Sequence, residues 1–321
     1  TSDASAVWAR RGDVLAVHAS GNAPGVHGLW PQSLLLGYRV AVRPSRREPF
    51  TAHRLILALR SAGLPAADAV YLPTDHAGAD ELVRCSDLAL VYGGQDVADR
   101  YRGDDTVKVN GPGRSKIVVG ADWEPWLDVI ADSVAHLGGT ACVNATAVLV
   151  DGDPVLLARA LAERLAALPA LPPGDEHAVL PVRPVAEARR LAEHLAARAG
   201  DAVAVAGADR LVAELGGGLA ALRPAVHALP VADDRVDAEL PFPCVWVAAL
   251  PDAPALEAVA PLRGSLVVSV LGRADLVPAL LDDPTIGCVY VGRPTHFAAP
   301  EVPHDGFLAD FLMRTKGFAA G

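Results

Sequence analysis

The sequence predicts an α/β protein whose parallel sheets are covered by helices on both faces. Short runs of consecutive apolar residues recur along the chain, and longer amphipathic segments separate them. Such runs are typical of strands in a two-sided parallel sheet, and their alternation with helices is typical of this fold class. The chain has 321 residues, 51% of them hydrophobic, so it can bury a large core, and its length favours two domains.

The apolar runs define the predicted strands. In chain order they are Val14–Ala19, Arg39–Val42, Ala69–Leu72, Leu88–Tyr92, Ile117–Val119, Ala147–Val150, Ala202–Ala206, Cys244–Ala249, Ser265–Val270 and Gly287–Val291. Helices are predicted in the amphipathic segments between them. The clearest are Thr51–Ala62, Trp123–Leu137, Pro154–Leu168, Val185–Ala199 and Ala208–Leu215.

Two breaks interrupt this alternation. Residues 109–115 read Val-Asn-Gly-Pro-Gly-Arg-Ser, a turn that separates a first series of strands and helices from the segment with Cys142. Residues 168–175 read Leu-Pro-Ala-Leu-Pro-Pro-Gly-Asp and predict a loop or linker in the second half. We therefore place a domain boundary between residues 109 and 110.

Composition excludes several classes of protein. A net charge of −10 argues against a nucleic-acid partner, which would need a basic face. We expect no membrane span, because no apolar run reaches the roughly 18 residues required. The four cysteines form no Cys-x-x-Cys pair, and the histidines lack metal-ligand spacing, so we expect neither a disulfide framework nor a metal site. Thiols of this kind fit a reducing cytoplasm.

Cys142 is the first candidate for chemistry. Gly138-Gly139-Thr140 lets the backbone turn sharply between a predicted helix and a predicted strand. A thiol on such a loop can face a cleft and attack a carbonyl carbon. The alternative is a buried structural cysteine, the usual fate of this residue type, and the residue pattern alone does not decide between them.

Asn22 is the second candidate. It lies in Gly21-Asn22-Ala23-Pro24, directly after the first predicted strand. Its amide could donate a hydrogen bond to the oxyanion formed when a thiol attacks, and one such donor contributes roughly 2.7–4 kcal/mol. The alternative is a helix N-cap, a role that asparagine fills well.

Basic and glycine residues follow two other predicted strands. Arg43, Arg46 and Arg47 come after Arg39–Val42, where ligands bind in open α/β sheets, and guanidinium groups suit a phosphate. A solvated loop in which Glu48 caps the next helix explains them equally well. Gly93-Gly94 after Leu88–Tyr92 could admit a pyrophosphate at a helix N-terminus, although the Gly-x-Gly-x-x-Gly fingerprint is lacking.

Taken together, these segments resemble the aldehyde dehydrogenase superfamily, and especially its acyl-CoA reductase-like, CoA-acylating branch. The matches run in order and cover residues 13–150, and more loosely the chain to about residue 295. They are Gly21-Asn22-Ala23-Pro24 for the Asn-containing turn, Arg43-Pro44-Ser45 for Lys-Pro-Ser, Val91-Tyr92-Gly93-Gly94 for Phe-Thr-Gly-Ser, Asn110-Gly111-Pro112-Gly113-Arg114-Ser115 for Glu-Leu-Gly-Gly-Lys-Ser, Gly138-Gly-Thr-Ala-Cys142 for Gly-Gln-x-Cys, and Glu239-Leu-Pro-Phe-Pro for Glu-x-Phe-Gly-Pro.

The resemblance implies a role for each matching residue. Cys142 is the nucleophile, and Asn22 and the Cys142 amide stabilise the oxyanion. The cofactor-binding residues are Arg43, Ser45, Arg46, Gly93, Gly94 and Glu239. The fold implied is a Rossmann-like cofactor domain at residues 1–109, a catalytic domain at 110–300 and a tail at 301–321. No metal is implied.

Three departures from the family pattern refine the expected activity. Asn110 occupies the position of the deacylating base and cannot take a proton from water, which favours transfer of the acyl group to or from coenzyme A. Arg46 replaces a ribose-binding carboxylate and would attract a 2′-phosphate, so we expect NADP(H) to be preferred over NAD(H). Only about twenty residues precede Asn22, so we expect an N-terminal part of the cofactor domain to be missing or supplied by another chain.

The leading hypothesis is therefore an NADPH-dependent interconversion of an acyl thioester and an aldehyde. A degenerate, non-catalytic subunit that completes or scaffolds a partner enzyme is the second hypothesis. An aldehyde oxidiser that forms a carboxylate with an unusual base is the third. We also expect a homo-oligomer or a complex with a partner chain.

Overall fold

The computed structural model describes residues 4–207 and 210–319. The chain divides into two compact units. The first takes the described residues up to Pro112 and those from Asp305 onward, and the second runs from Gly113 to His304. The unit boundary, between Pro112 and Gly113, thus lies within the breaker-rich turn of residues 109–115, three residues beyond the predicted position. The predicted tail at 301–321 is divided, because its larger part belongs to the first unit.

The first unit begins with alternating strands and helices. Its strands up to residue 112 are β1 (Ala4–Arg10), β2 (Val14–His18), β3 (Arg39–Arg43), β4 (Ala69–Tyr71), β5 (Leu88–Tyr92) and β6 (Val107–Asn110). Its helices there are α1 (Pro31–Leu35), α2 (Phe50–Ser61), α3 (His76–Arg84) and α4 (Gln95–Arg100), with a 3₁₀ turn at Pro24–Gly28.

The second unit contains more strands than helices. The strands are β7 (Ser115–Val119), β8 (Ala145–Val150), β9 (Val182–Pro184), β10 (Val203–Ala206), β11 (Val212–Gly216), β12 (Leu219–Leu222), β13 (Ala225–Leu229), β14 (Cys244–Ala249), β15 (Val267–Leu271) and β16 (Cys288–Val291). The helices are α5 (Leu127–Ala135), α6 (Pro154–Leu165), α7 (Val185–Ala199), α8 (Ala255–Ala258) and α9 (Val277–Asp282). Short 3₁₀ turns occupy Glu124–Trp126, His136–Gly139, Asp234–Asp237, Ala260–Leu262 and Ala274–Leu276.

A parallel sheet organises the first unit. Its described strands lie in the order β4-β3-β2-β5-β6, and every pair is parallel. The chain moves outward from β2 to β4 on one side and continues with β5 and β6 on the other. The boundary between β2 and β5 is therefore a topological switch point, the place where open α/β sheets bind ligands beyond their carboxyl edge.

The end of the chain completes the first unit. After Asp305 it forms α10 (Leu308–Leu312) and β17 (Met313–Ala319). Leu308 and Leu312 are buried in the same core cluster as Trp30 and Ile56, and the Tyr38 hydroxyl donates to the Leu312 carbonyl. β17 then pairs antiparallel with β1.

A larger sheet forms the centre of the second unit, in the order β10-β13-β14-β8-β7-β15-β16 among the described strands. All neighbouring pairs are parallel except β10 with β13. Val118 and Leu149 belong to one core cluster, and Ile117 and Val148 belong to another. Adjacent residues of a strand point to opposite faces, so helices and loops bury this sheet on both sides. A small antiparallel sheet, β11-β12-β9, lies beside it in the same unit.

The α/β class with parallel sheets is thus confirmed, and the strands Leu88–Tyr92 and Cys244–Ala249 and the helix Val185–Ala199 have the predicted bounds. The helix predicted at Ala208–Leu215 is wrong where the structure describes it, because Val212–Gly216 is a strand. Residues 208 and 209 lie outside the described part. Positive φ angles at Gly216, Gly217 and Gly218 produce a tight hairpin from β11 to β12, which overrides the local helical pattern.

The helix predicted at Trp123–Leu137 is interrupted. The α-helical part ends at Ala135, because Leu137 and Gly138 have positive φ angles of 49° and 68°. In residues 4–207 and 210–319, each helix is too short or too polar to span a lipid bilayer.

Candidate active site

In the first unit, Asn22, predicted to stabilise the oxyanion, and most of the predicted cofactor residues follow the carboxyl ends of neighbouring parallel strands. Asn22 comes after β2, Arg43 ends β3, and Gly93 comes after β5. Because β2, β3 and β5 are adjacent and parallel, these residues share one edge of the sheet, at its switch point. The sequence motifs thus converge within this unit.

Asn22 lies in the turn after β2. Its Oδ1 accepts a hydrogen bond from the Ser20 hydroxyl. The N-cap position of the following 3₁₀ turn is Ala23, and that turn has no side-chain cap. The helix N-cap alternative considered for Asn22 is therefore not the arrangement observed.

The arginine loop packs against the Asn22 turn. A Cβ atom on Gly21 would overlap the Ser45 hydroxyl oxygen, so the two loops are in close contact. The Arg43 Nε atom is buried without a hydrogen-bond partner in the described residues. An anionic ligand would satisfy that donor. The Arg46 side chain, in contrast to Arg43, is exposed. Glu48 caps α2, accepting from the amides of Phe50 and Thr51 at 3.1 and 3.0 Å.

His18 ends β2 opposite Arg43. Burial lowers the pKa of its imidazole, and the positive charge of Arg43 lowers it further. His18 therefore adds no positive charge to this edge at neutral pH, and the partly buried Arg43 supplies it.

Gly93 and Gly94 lead from β5 into α4. A Cβ atom on Gly93 would overlap Val97, so this close approach requires glycine. The Gly93 amide donates to the Asn110 carbonyl at 3.2 Å, and Gly94 is the N-cap residue of α4. α4 has only six residues. The glycine pair therefore determines the shape of the loop before α4 and does not lead into a long helix.

In the second unit, Cys142 lies on a turn between α5 and β8 and is partly exposed. The chain reaches it through Gly138 and Gly139, which both have positive φ angles. A Cβ atom on Gly139 would overlap the backbone of Pro243, so only glycine fits there. The glycine pair in the sequence predicted this sharp turn before the thiol.

Asn144 holds the cysteine turn in place. Its Nδ2 donates to the carbonyls of Ser133 and His136 at 3.2 and 2.9 Å, and its Oδ1 accepts from the Ala141 amide at 2.8 Å. The buried amide thus links the end of α5 to the residue before Cys142. No motif had singled out Asn144.

The glycine loop before β7 contacts the backbone of Cys142. Ser115 Oγ donates to the Cys142 carbonyl at 2.9 Å, and a Cβ atom on Gly113 would overlap that carbonyl. The Glu239 carboxylate accepts from the amides of Gly113 and Arg114 at 3.1 and 2.9 Å. Burial raises the pKa of Glu239, and these two amides partly oppose the shift. Glu239, predicted to bind the cofactor, thus supports the loop that fixes Cys142.

His304 is a functional candidate that sequence analysis did not assign. Its Nε2 lies 3.4 Å from the Cys142 Sγ. The two residues are 162 positions apart, and no local pattern marks such a long-range pair. A thiol beside an imidazole is the arrangement that activates cysteine nucleophiles.

The other cysteines occupy different environments. Cys85 is exposed, and its hydrogen bond to Glu81 raises the pKa of the thiol. Burial raises the pKa of Cys244 to about 12, which keeps it a thiol. Cys288 is buried and donates to the Pro303 carbonyl at 3.1 Å. Cys142 is thus the cysteine whose surroundings favour reactivity.

Asp132, His136 and His296 form a further cluster, with candidate ligand atoms within 4.8 Å of one another. His296 Nε2 lies 3.2 Å from Asp132 Oδ2. The two imidazole rings stack at 3.9 Å with planes 5° apart. Lone pairs of ring nitrogens lie in the ring planes, and parallel planes do not converge on one ion. This geometry favours a stacked, carboxylate-bound pair over a metal centre.

Comparison with solved structures identifies the fold. The class is an α/β fold with a switch-point sheet in one unit and a cysteine turn in the other. The chain is similar to 3,6-anhydro-L-galactose dehydrogenase, solved in complex with NAP, at a TM-score of 0.83 and 20% identity, covering 99% of this chain and 72% of that one. It is similar to an NAD-dependent aldehyde dehydrogenase from Sinorhizobium meliloti at a TM-score of 0.82 and 20% identity, and the match covers 99% of this chain and 68% of that one. It is also similar to lactaldehyde dehydrogenase from Escherichia coli at a TM-score of 0.82 and 18% identity, and the match covers 99% of this chain and 72% of that one.

The fold is therefore that of the aldehyde dehydrogenases, as the motifs predicted. No family model matches the chain, and no curated protein matches it in sequence. The CoA-acylating branch stays a prediction.

Proposed function

We propose that this chain is a nicotinamide-dependent oxidoreductase that interconverts an aldehyde and an acyl thioester through a covalent bond to Cys142. One observation carries the proposal. In an aldehyde dehydrogenase fold, a partly exposed thiol stands on a sterically fixed turn, with an imidazole 3.4 Å away.

The chemistry of Cys142 begins with addition to the aldehyde. A bond forms between Sγ and the carbonyl carbon, and the carbonyl π electrons move to oxygen. Loss of hydride from that carbon then leaves a thioester on Cys142. Thioester reduction is the same sequence in reverse. The resemblance assigns the oxyanion to Asn22 and to the Cys142 amide, and this assignment stays a prediction.

A nicotinamide cofactor, when bound, accepts or supplies the hydride. The first unit fits such a group, because its switch-point edge presents the buried Arg43 Nε without a hydrogen-bond partner in the described chain. We propose Arg43, Ser45, Arg46, Gly93 and Gly94 as its contacts. Arg46 supports a preference for NADP(H), because an exposed guanidinium attracts a 2′-phosphate.

Two acyl acceptors follow from different observations. Asn110 stands where the resemblance expects a deacylating carboxylate, and an amide cannot accept a proton from water, which supports coenzyme A as acceptor. His304 beside Cys142 supports water, because an imidazole can accept that proton. We propose coenzyme A as the first acceptor and hydrolysis to a carboxylate as the second candidate.

The decisive experiment measures acylation of the protein itself. Incubation with a panel of acyl-CoA thioesters should add the acyl mass to the wild-type chain in an intact mass spectrum. Cys142→Ser should abolish that gain, whereas Cys85→Ser, which changes an exposed thiol, should preserve it. Undiminished labelling of Cys142→Ser would contradict the proposal. Supplying an aldehyde and NADP⁺, with and without coenzyme A, then shows whether acyl-CoA or carboxylate is released.

A further inference from the structure

We infer that His304 is the general base of the Cys142 reaction, taking the thiol proton before attack and the proton of the acyl acceptor afterwards. The inference rests on the proposed function and adds a catalytic residue to it. Its basis is the contact of 3.4 Å between His304 Nε2 and Cys142 Sγ.

Both partners are held from several directions. The Cys142 backbone is fixed by Ser115 and by contact with Gly113. The His304 segment is attached to the start of β16, where Cys288 Sγ contacts the carbonyls of Pro303 and His304 at 3.1 and 3.8 Å. Pre-positioned partners of this kind need little reorganisation when the proton moves.

The protons balance over one catalytic cycle. The S–H bond of Cys142 breaks, its electron pair stays on sulfur, and Nε2 of His304 gains the proton. His304 then gives this first proton to solvent, and it is the proton that aldehyde oxidation releases. After the thioester forms, Nε2 of His304 takes the proton from the S–H or O–H of the acceptor, and the acceptor's electron pair forms the new bond to the acyl carbon. The Cys142 sulfur leaves as a thiolate and regains a proton through His304. No further oxidant or reductant is needed beyond the nicotinamide step.

Several charged groups of the second unit lie near Cys142. Glu239 and Arg114 belong to the glycine loop that contacts Cys142. Lys116, buried behind that loop, pairs with Asp237 at 2.8 Å and contacts the Arg114 carbonyl. Asp305 follows His304 in the chain, and Cys288 contacts the carbonyl of His304.

The test measures how fast Cys142 is alkylated as a function of pH, in a Cys85→Ser background that removes the exposed thiol. Iodoacetamide labelling is followed on the Cys142 peptide by mass spectrometry from about pH 5 to about pH 10, a range that spans ordinary imidazole and thiol titration. His304→Gln places an amide nitrogen near the position of Nε2 but cannot accept a proton. We expect alkylation near neutral pH to fall on the order of tenfold, with recovery at alkaline pH where solvent removes the proton.

The matched control is His177→Gln, which changes an exposed histidine in a loop and should leave the profile unchanged. Added imidazole should restore alkylation near neutral pH in His304→Ala. An unchanged profile in His304→Gln, with folding verified by circular dichroism, would overturn the inference. Failure of the proposed function is distinguishable, because it appears as persistent acylation of Cys142→Ser.

Discussion

Single residues decide whether the cysteine turn is rigid. Asn144 forms three hydrogen bonds that join the end of α5 to the amide of Ala141. Because the Asn144 side chain is buried, water cannot replace these hydrogen bonds when the side chain is removed. The geometry at Cys142 thus depends on a residue that performs no chemistry.

We expect Asn144→Ala to lower the free energy of unfolding by roughly 2–4 kcal/mol, since it removes three hydrogen bonds between a buried side chain and the backbone. Urea denaturation measures the change. Thr140→Ala is the control, because it removes an exposed hydrogen bond to the Leu137 carbonyl in the same turn. If Asn144→Ala destabilises no more than Thr140→Ala, the structural role assigned to Asn144 is wrong.

The sequence was informative for some residues of the site and silent for others. Cys142 and Asn22 could be singled out because glycines and a strand end mark their turns locally. His304 could not, because its contact with Cys142 joins positions 162 apart. Asn144 looked like an ordinary polar residue, since the carbonyls that it binds become available only when α5 ends at Ala135.

At the scale of elements, the loop after β3 determines what the first unit presents at the sheet edge. Arg43 is tied to the strand and partly buried, whereas Arg46 lies beyond it and is exposed. Arg43 therefore suits a fixed contact with the cofactor. Arg46 suits discrimination between cofactors, because its charge is available to a group at the rim.

We expect the wild-type chain to bind NADPH more tightly than NADH, and Arg46→Glu to reverse this order. A carboxylate repels the 2′-phosphate that a guanidinium attracts, and on the order of a tenfold change in each affinity corresponds to about 1.4 kcal/mol. Titration of cofactor fluorescence measures both affinities. Arg54→Glu makes the same charge change at an exposed position on α2. Equal losses of NADPH affinity in the two variants would remove Arg46 from the cofactor site.

At the scale of the whole molecule, three buried histidines, His18, His27 and His227, couple stability to pH. Burial lowers the pKa of each below the ordinary value of 6.5. In His27, Nδ1 accepts a hydrogen bond from Trp30 Nε1 at 3.1 Å, which fits a neutral ring. Between pH 6.5 and these lowered pKa values, the unfolded chain therefore binds protons at the three histidines more readily than the folded chain does.

Above pH 6.5 these histidines are neutral in both states and do not lower the free energy of unfolding. That free energy should fall as the pH drops from 6.5 through their lowered folded-state pKa values. Each contributes at most about 1.4 kcal/mol per pH unit. Urea unfolding midpoints at several pH values measure the slope. His227→Gln should flatten it, whereas His194→Gln, an exposed control, should not. The same slope in wild type and His227→Gln would exclude His227 as a contributor.

The overall architecture was more predictable than its small sheets. Strands buried on both faces, such as β5 and β14, have continuous apolar runs, so local sequence defines them. β1 and β17 are exposed along almost their whole length and pair across more than three hundred residues, so neither composition nor alternation marks them. The expectations of a homo-oligomer or partner chain and of a cytoplasmic location stay predictions.

The return of the chain to the first unit has a consequence for synthesis on the ribosome. Domains usually fold in the order in which they emerge, N-terminal first. Here the continuous unit, Gly113–His304, is fully translated before Leu308 and Leu312 exist to fill the core beside Trp30. The nascent chain must therefore carry an incomplete first unit, with part of its apolar core open, while the second unit is already able to fold.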